Sequence, residues 1–252
     1  MQHVRPIFWA LAALAITSLG VVPAHAGSST LNTISPESFP RPFEAAFEVK
    51  ASNVKVAQTR WRLAVQANHR FVYESRTESE GIVSLFRKDS IVERSAGIVV
   101  DDAALPLDYH YDRTRGGKRR SVQVRFDWES GTAANSLEGQ TWKMAIPDGT
   151  LDKLSYLLMM MRDLRRGKRA LRYEVADGGK LKTYRLEMVA TEEVTTPLGT
   201  FSALGMRRVR DGGQRETVFW CAERLGYLPV KVSHREPNGN ALELVLTQIK
   251  GL

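Results

Sequence analysis

Alternation of apolar and polar side chains governs most of the chain from Phe43 onward. The segments 43–50, 121–128 and 242–249 place an apolar side chain at nearly every second position. A period of two puts these side chains on one face of an extended strand, and that face must pack against a core. The pattern predicts antiparallel strands with one face buried and the other in solvent.

Turn signals separate the predicted strands at short intervals. They are groups rich in Gly, Asn and Asp, which tolerate the positive φ of tight hairpins. They occur at Ser52-Asn53, Gly116-Gly117, Gly178-Gly179, Asp211-Gly212-Gly213 and Asn238-Gly239. This arrangement predicts about 11–13 antiparallel strands in sequential hairpins. A sheet of that size curls or closes, so we expect a mainly β protein built as a strongly curved sheet or an unclosed barrel.

One segment departs from the period of two. Between Asp148 and Gly167 the apolar residues follow helical spacing, and three arginines precede Gly167. Basic residues in a last turn, followed by glycine, are typical of a helix C-terminus. The pattern predicts a helix over about residues 150–166, capped by Asp148 or Thr150, with Asp152 in its first turn.

So apolar a helix is expected to lie against the concave side of the sheet, where two roles are open. It completes the core, or it bounds an apolar cavity for an acyl chain or a lipidated segment. Three consecutive methionines at 159–161 favour the second role, because methionine adapts to irregular apolar ligands. For that role the candidate lining residues are Trp61 on the sheet and Leu154, Leu158 and Met161 on the helix.

The N-terminus has the three regions of a secretory signal peptide. Arg5 precedes an apolar stretch, and Ala24-His25-Ala26 matches a signal peptidase site. An uncleaved signal anchor is the alternative, although the stretch is shorter than the roughly 20 residues that span a bilayer. We expect a cleaved signal peptide over residues 1–26, a flexible arm over 27–42 and a single β-rich domain over 43–252. The expected location is the periplasm, with no stable transmembrane anchor after cleavage.

The chain has one cysteine, Cys221, so an intrachain disulfide is excluded. Lipoprotein processing is excluded as well, because no cysteine follows the apolar stretch of the signal peptide. Cys221 lies among apolar residues, and we interpret it as a buried, unreactive side chain.

Residue patterns of familiar catalytic and metal sites are absent from the sequence. His69, His110 and His234 lack metal-ligand spacing, and there is no G-x-S-x-G motif. Ser155 follows Asp152 by three residues, which we interpret as local hydrogen bonding at the helix end. We therefore expect no catalytic residues, no metal and no cofactor. The enzymatic alternative is a hydrolase acting on glycans or lipids, with Asp127 or Asp152 as its acid.

Basic residues outnumber acidic ones, 36 to 28, which gives a formal net charge of +8. The densest basic runs are 113–125, 162–172 and 207–210. They are solvated strand faces and hairpin tips, or they form a patch for anionic partners such as lipid headgroups, lipopolysaccharide or acidic glycans. A nucleic-acid partner is not expected, because export separates the protein from nucleic acid.

Several short motifs occur in order along the chain. They are Leu105-Pro106-Leu107, Val124-x-Phe126-Asp127-Trp128, Ile146-Pro147-Asp148-Gly149, Thr196-Pro197-Leu198-Gly199-Thr200-Phe201 and Tyr227-Leu228-Pro229-Val230. In this order they resemble the DUF3108 family of exported bacterial proteins of unknown function, over roughly residues 43–250.

More distantly, the turn at 196–201 is similar to that of periplasmic lipoprotein carriers and β-spiral envelope proteins. This resemblance implies an unclosed barrel with a helix in its mouth, and binding rather than catalysis. The chain departs from the β-spiral proteins in one respect, since a single cysteine cannot form the disulfide that often holds them.

Together these patterns predict a non-enzymatic periplasmic protein that binds an apolar or amphiphilic envelope component and supports envelope integrity. The expected partner is a lipid, a lipoprotein or an anionic envelope component. The alternative is a structural or interaction protein of the envelope that uses its basic surface.

Overall fold

The computed structural model describes residues 38–80, 89–209 and 215–252. These residues belong to one compact unit, Ile34–Leu252. The expected signal peptide at 1–26, the first part of the expected arm and the hairpin tip expected at Asp211-Gly212-Gly213 lie outside the described residues.

Fifteen strands, one α-helix and one 3₁₀ turn make up the described residues. The strands before the helix are β1 Phe43–Ala51, β2 Val54–Val65, β3 Arg70–Ser79, β4 Ser90–Val100, β5 Ala103–Arg115, β6 Lys118–Asp127, β7 Thr132–Leu137, β8 Gln140–Ala145 and β9 Leu151–Asp152. Helix α1 is Ser155–Arg165. After it come β10 Ala170–Asp177, β11 Lys180–Thr196, β12 Gly199–Val209, β13 Glu216–Ala222, the 3₁₀ turn Glu223–Leu225, β14 Leu228–Arg235 and β15 Ala241–Lys250.

The described strands form one sheet, in the order β8-β7-β6-β5-β4-β3-β2-β1-β15-β14-β13-β12-β11-β10-β9. All neighbours are antiparallel except β9 and β10, which are parallel. The sheet is not closed, because β8 and β9 lie at its two edges. This architecture confirms the predicted mainly β fold with a curved sheet or unclosed barrel. The strand number exceeds the expected range because β7, β8 and β9 are too short to show clear alternation.

Tight turns join most neighbouring strands. In the β1–β2 hairpin both central residues, Ser52 and Asn53, have positive φ, as a type I′ turn requires. The glycine pairs predicted at 116–117 and 178–179 adopt the same conformation. So do Asp101 and Asp102 between β4 and β5, a turn that the sequence signals did not identify.

Helix α1 lies between the two halves of the curved sheet. From the N-terminal half, the backbone N–H of Ala104 on β5 contacts the sulfur of Met159 at 3.3 Å. From the C-terminal half, Tyr184 on β11 and Phe219 on β13 pack edge-on against Tyr156. Because both halves cover the helix, its residues from Ser155 to Met161 are all buried. The predicted position of the helix against the concave side is thus confirmed.

The helix begins at Ser155, later than the sequence indicated, because Leu151 and Asp152 form strand β9 instead. Neither expected cap is used: Asp148 is exposed, and the Thr150 hydroxyl donates to the Pro147 carbonyl. Asp152 caps the turn that leads into the helix. At the other end Gly167 has a φ of 81° and its N–H donates to the Leu164 carbonyl, as predicted for the C-terminus.

The last residues of the expected arm pack against the domain. The Phe39 ring lies 6.1 Å from that of Phe71 and is only 7% exposed. The Ser38 hydroxyl donates to Asp102, and Arg166 donates to both residues. The packed structure therefore extends to Ser38, five residues ahead of β1, because an aromatic side chain reaches the core there.

Candidate functional site

The four residues predicted to line an apolar cavity are all in the core. Trp61 is 6% exposed, Leu154 3%, Leu158 0% and Met161 1%, and they belong to one hydrophobic cluster. Trp61 also borders an outer cleft of about 220 Å³ beside Arg60. The three helix residues do not line this cleft, the cleft beside Lys153 or the cleft over β11 and β12. A ligand on the concave side stays a prediction.

Polar groups converge where α1 begins. One carboxylate oxygen of Asp152 accepts the N–H groups of Leu154 and Ser155 at 2.8 and 2.9 Å, and the other accepts the Ser95 hydroxyl at 2.5 Å. The Ser155 hydroxyl in turn accepts the N–H of Asp152 at 2.9 Å. This reciprocal pattern is that of a capping box, so the predicted hydrogen bonding at the helix end is confirmed. Burial raises the pKa of Asp152, although its hydrogen bonds oppose the change.

Beside the capping box, a small cleft of about 190 Å³ opens between β5, β6 and the β10–β11 turn. Lys153 lies in it, with its ammonium 3.2 Å from a Glu93 oxygen that also accepts the Tyr109 hydroxyl. Burial alone would lower the pKa of Lys153, but the charges of Glu93 and Asp177 raise it overall. The charge of Lys153 is therefore already compensated within the protein by its ion pair with Glu93.

A larger cleft, of about 610 Å³, lies over β11, β12 and the 3₁₀ turn; we call it the β11–β12 cleft. Its lining includes apolar side chains from three elements, and two arginines and one glutamate stand beside them. The lining residues are Arg169, Met188, Thr191, Thr200, Phe201, Ser202, Leu204, Cys221, Glu223, Arg224 and Tyr227. Met188 is 44% exposed, whereas Phe201 and Leu204 are buried, so the cleft has an apolar floor and an accessible wall.

The arginines of the β11–β12 cleft rest on its aromatic rings. The Arg224 guanidinium lies 4.2 Å from the centre of the Phe201 ring, and that of Arg169 lies 5.9 Å from the Tyr227 ring. Arg169 also donates to the carbonyls of Leu164 and Lys168. Among the described residues, no carboxylate forms an ion pair with either guanidinium. An apolar floor beneath two such cations matches the chemistry of an anionic amphiphile.

The other residues that the sequence analysis considered for catalysis or metal binding have contacts that stabilise the fold. Asp127 is exposed and accepts the N–H of Ser130 in a turn, while Asp152 caps α1. Cys221 is fully buried, and burial raises the pKa of its thiol, as expected for an unreactive side chain. His234 bonds Thr217 and Glu236. Within residues 38–80, 89–209 and 215–252, no three His, Cys, Asp or Glu side chains are grouped as metal ligands.

Sequence reasoning did not identify the β11–β12 cleft. Arg169 follows α1 and Arg224 lies in the 3₁₀ turn after β13, and the sheet order brings the two together. The basic run at 162–172 includes Arg169, but the isolated Arg224 belongs to no recognisable sequence pattern.

In the described part of the chain, no helix is both long and apolar enough to cross a membrane.

The fold defines a class of protein: a large antiparallel sheet that curves around one helix without closing. A family model matches residues 46–247, and the chain belongs to that family, described as protein of unknown function, DUF3108. The membership confirms the resemblance that the ordered motifs indicated. No curated protein matches the sequence.

Among solved structures, the chain is similar to a β-barrel-like protein of the domain of unknown function DUF1849 from Brucella abortus. The two share 7% sequence identity with a TM-score of 0.57, and the match covers 84% of this chain and 98% of that one. A protein from Parabacteroides distasonis, provisionally described as a lipoprotein, matches with 9% identity over the same shares, but its TM-score is 0.30. At these identities the first likeness shows the fold alone, and the second carries no argument.

Proposed function

We propose that the protein is a non-enzymatic, exported protein of the cell envelope that binds an amphiphilic envelope component in the β11–β12 cleft. The observation that carries this proposal is an apolar floor of Phe201 and Leu204 and an accessible wall at Met188, beside two arginines that form no ion pair with an acidic side chain among the described residues. The volume of the β11–β12 cleft, about 610 Å³, lies in the range of about 300–1,000 Å³ that small-molecule sites occupy.

The packing of the interior favours this cleft over the concave side. Leu158, Met160 and Leu164 are completely buried, so a ligand on the concave side would have to displace α1. Displacement would break the capping box and expose most of the helix surface. The β11–β12 cleft is open without any rearrangement, and its Met188 side chain can adapt to an alkyl chain.

Export is supported by the N-terminal segment, whose charge, apolar stretch and cleavage motif are those of a signal peptide at 1–26. The location that we propose is the periplasm, and the role is support of envelope integrity through a bound lipid or lipoprotein chain. The second candidate is an interaction protein that uses its basic surface and takes up no amphiphile. The unpaired arginines are compatible with both, so a measurement must separate them.

The test is binding of dodecyl maltoside, a neutral amphiphile, to the purified full chain by calorimetry below its micelle concentration. The matched pair of variants is Met188→Asp, in the cleft, and Val54→Asp, at an exposed apolar position on β2. We expect Met188→Asp to weaken binding about tenfold, since losing part of one apolar contact corresponds to about 1.4 kcal/mol. Val54→Asp should bind like the wild type.

Native mass spectrometry of the protein from its source would add the identity of any retained amphiphile. If dodecyl maltoside does not bind, the interaction-protein alternative is favoured over the proposal. If it binds equally to both variants, the β11–β12 cleft is not the site.

A further inference from the structure

We infer that the amphiphile carries a phosphate monoester headgroup, held by Arg41, Arg165 and Arg224 in a second cleft that adjoins the first. The inference rests on the proposed function and deepens it. The proposed function assigns a site for the alkyl chain of the amphiphile, and the inference assigns a site for its headgroup. We call this second site the helix-end cleft; it has a volume of about 300 Å³.

Three arginines from distant parts of the chain meet in the helix-end cleft. Arg41 precedes β1, Arg165 is the last residue of α1, and Arg224 lies in the 3₁₀ turn. The other lining residues are Leu225, Gly226 and Leu252, so no acidic side chain is among the described lining. Among the described residues no carboxylate forms an ion pair with Arg41 or Arg224.

The backbone at Gly226 makes room for one of these guanidiniums. Gly226 has a φ of 62°, and a Cβ built on it would overlap the Nη2 atom of Arg165. The other terminal nitrogen of Arg165 lies 3.5 Å from the carbonyls of Ser38 and Phe39. Arg165 is half-buried, so its guanidinium is held at the cleft by its surroundings rather than free on the surface.

Arg224 joins the two clefts. Its guanidinium covers the Phe201 ring in the β11–β12 cleft and also lines the helix-end cleft. An alkyl chain on the apolar floor would therefore end beside the three arginines. The negative end of the α1 dipole accounts for a cation such as Arg165 at this place, but not for Arg41 and Arg224, which belong to other elements.

The number of charges favours phosphate over carboxylate. Guanidinium groups bind either oxyanion through paired N–H donors. Arg41 and Arg224, with which no carboxylate of the described residues forms an ion pair, together exceed what one carboxylate neutralises, whereas a phosphate monoester carries about −1.5 to −2 charges near pH 7. Its three free oxygens also match three separate donors.

The experiment compares dodecyl phosphate, laurate and dodecyl maltoside on the full chain, with inorganic phosphate as a fourth ligand. We expect dodecyl phosphate to bind at least tenfold more tightly than dodecyl maltoside, with laurate between them. Arg41→Gln should reduce the preference for dodecyl phosphate several-fold and leave the affinity for dodecyl maltoside within about twofold. Arg224 also lines the β11–β12 cleft, so Arg224→Gln should weaken both amphiphiles, and dodecyl phosphate several-fold more than dodecyl maltoside. The control is Arg119→Gln, which removes an exposed arginine on β6 that pairs with Asp112. It should change neither affinity.

Gly226→Ala provides a variant that keeps all three charges. Its new Cβ displaces the Arg165 guanidinium, so the preference for dodecyl phosphate should fall while the affinity for dodecyl maltoside is retained. Circular dichroism confirms that each variant is folded before binding is measured.

The outcomes separate the inference from the proposed function. Tight binding of dodecyl maltoside, with a headgroup preference that is absent or insensitive to the arginine variants, overturns the inference and leaves the function standing. Failure of all three amphiphiles to bind overturns both. Inorganic phosphate that binds as tightly as dodecyl phosphate, with the same dependence on Arg41 and Arg224, shows a site for free phosphate and also overturns the inference.

Discussion

Removal of the Asp152 carboxylate should unfold the junction between α1 and the sheet. Asp152 is 0% exposed and accepts hydrogen bonds from Leu154, Ser155 and Ser95. In Asp152→Ala these three donors lose their acceptor in a place that water does not reach. A lost N-cap is worth about 0.5–2 kcal/mol, and a buried donor without a partner costs about 1–3 kcal/mol. We expect the free energy of unfolding to fall by about 3–5 kcal/mol.

Asp152→Asn separates hydrogen bonding from charge. The amide oxygen can still accept the N–H groups of Leu154 and Ser155, and its nitrogen can donate to the Ser95 hydroxyl oxygen. The loss should therefore stay below about 1.5 kcal/mol. Asp148→Ala is the control, since Asp148 was an expected cap and is exposed; we expect a change within about 0.5 kcal/mol.

The measurement is urea unfolding, followed by tryptophan fluorescence and by far-ultraviolet circular dichroism. For a domain of this size the Asp152→Ala loss corresponds to a melting point lower by roughly 6–20 °C. A loss below about 1 kcal/mol for Asp152→Ala, or equal losses for the Ala and Asn variants, would refute the role of the carboxylate as a hydrogen-bond acceptor.

The pH dependence of the same pair follows from the raised pKa of Asp152. Burial raises it above the ordinary value of 3.8, so the folded state binds the proton more strongly than the unfolded state. The penalty for burying the charge is absent below pH 3.8 and develops as the pH rises through the raised pKa. On acidification the free energy of unfolding of the wild type should therefore rise relative to that of Asp152→Asn. If it falls relative to that of Asp152→Asn, the pKa of Asp152 is not raised in the folded state.

Three further predictions concern other parts of the fold. Gly97→Ala should lower the free energy of unfolding by about 2 kcal/mol or more, because its Cβ would overlap the Leu105 carbonyl across the β4–β5 pair; a melting curve like that of wild type would contradict it. The Cys221 thiol should resist dithionitrobenzoate in the native protein and react once urea is added, since it is buried and its pKa is raised. Phe39→Ala should destabilise by about 3 kcal/mol, measured by urea unfolding, if Phe39 belongs to the core; a truly flexible arm would show no change.

Local signals in the sequence accounted for the strands, the hairpins and the helix. Alternation revealed the strands because one face of each is buried, and glycine pairs such as Gly116-Gly117 marked turns whose φ angles need them. The Asp101-Asp102 turn was missed because paired aspartates are as typical of solvated or catalytic carboxylates as of turns. The start of α1 was misplaced because a two-residue parallel strand leaves no periodic trace.

The candidate site was harder to predict from the sequence, because the pairing order of the strands brings its residues together. The apolar helix drew attention to the concave side, yet its residues 156–161 are apolar because all of them pack against the surrounding sheet. The clefts instead depend on Arg41, on Arg165 and Arg169, and on Arg224, which come from three separate stretches of the chain. Only the pairing order of the strands reveals that these stretches are neighbours.

The pairing of β1 with β15 at the middle of the sheet also governs how this fold can be assembled. The first and last strands of the domain are partners, with Ala45 opposite Ile249 and Glu44 opposite Lys250. Each half can form by local hairpin closure, but the seam between them requires the entire polypeptide, so the barrier to folding rests on one contact of maximal sequence separation. Until β15 pairs with β1 during folding, β1 is an exposed edge strand with which a strand of another molecule could pair. Pro42 and Gly251 lie side by side. A circular permutant with a short linker between these two positions, and with new ends at the Gly116-Gly117 hairpin, would make β1 and β15 neighbours in sequence. We expect this permutant to fold faster than the wild type.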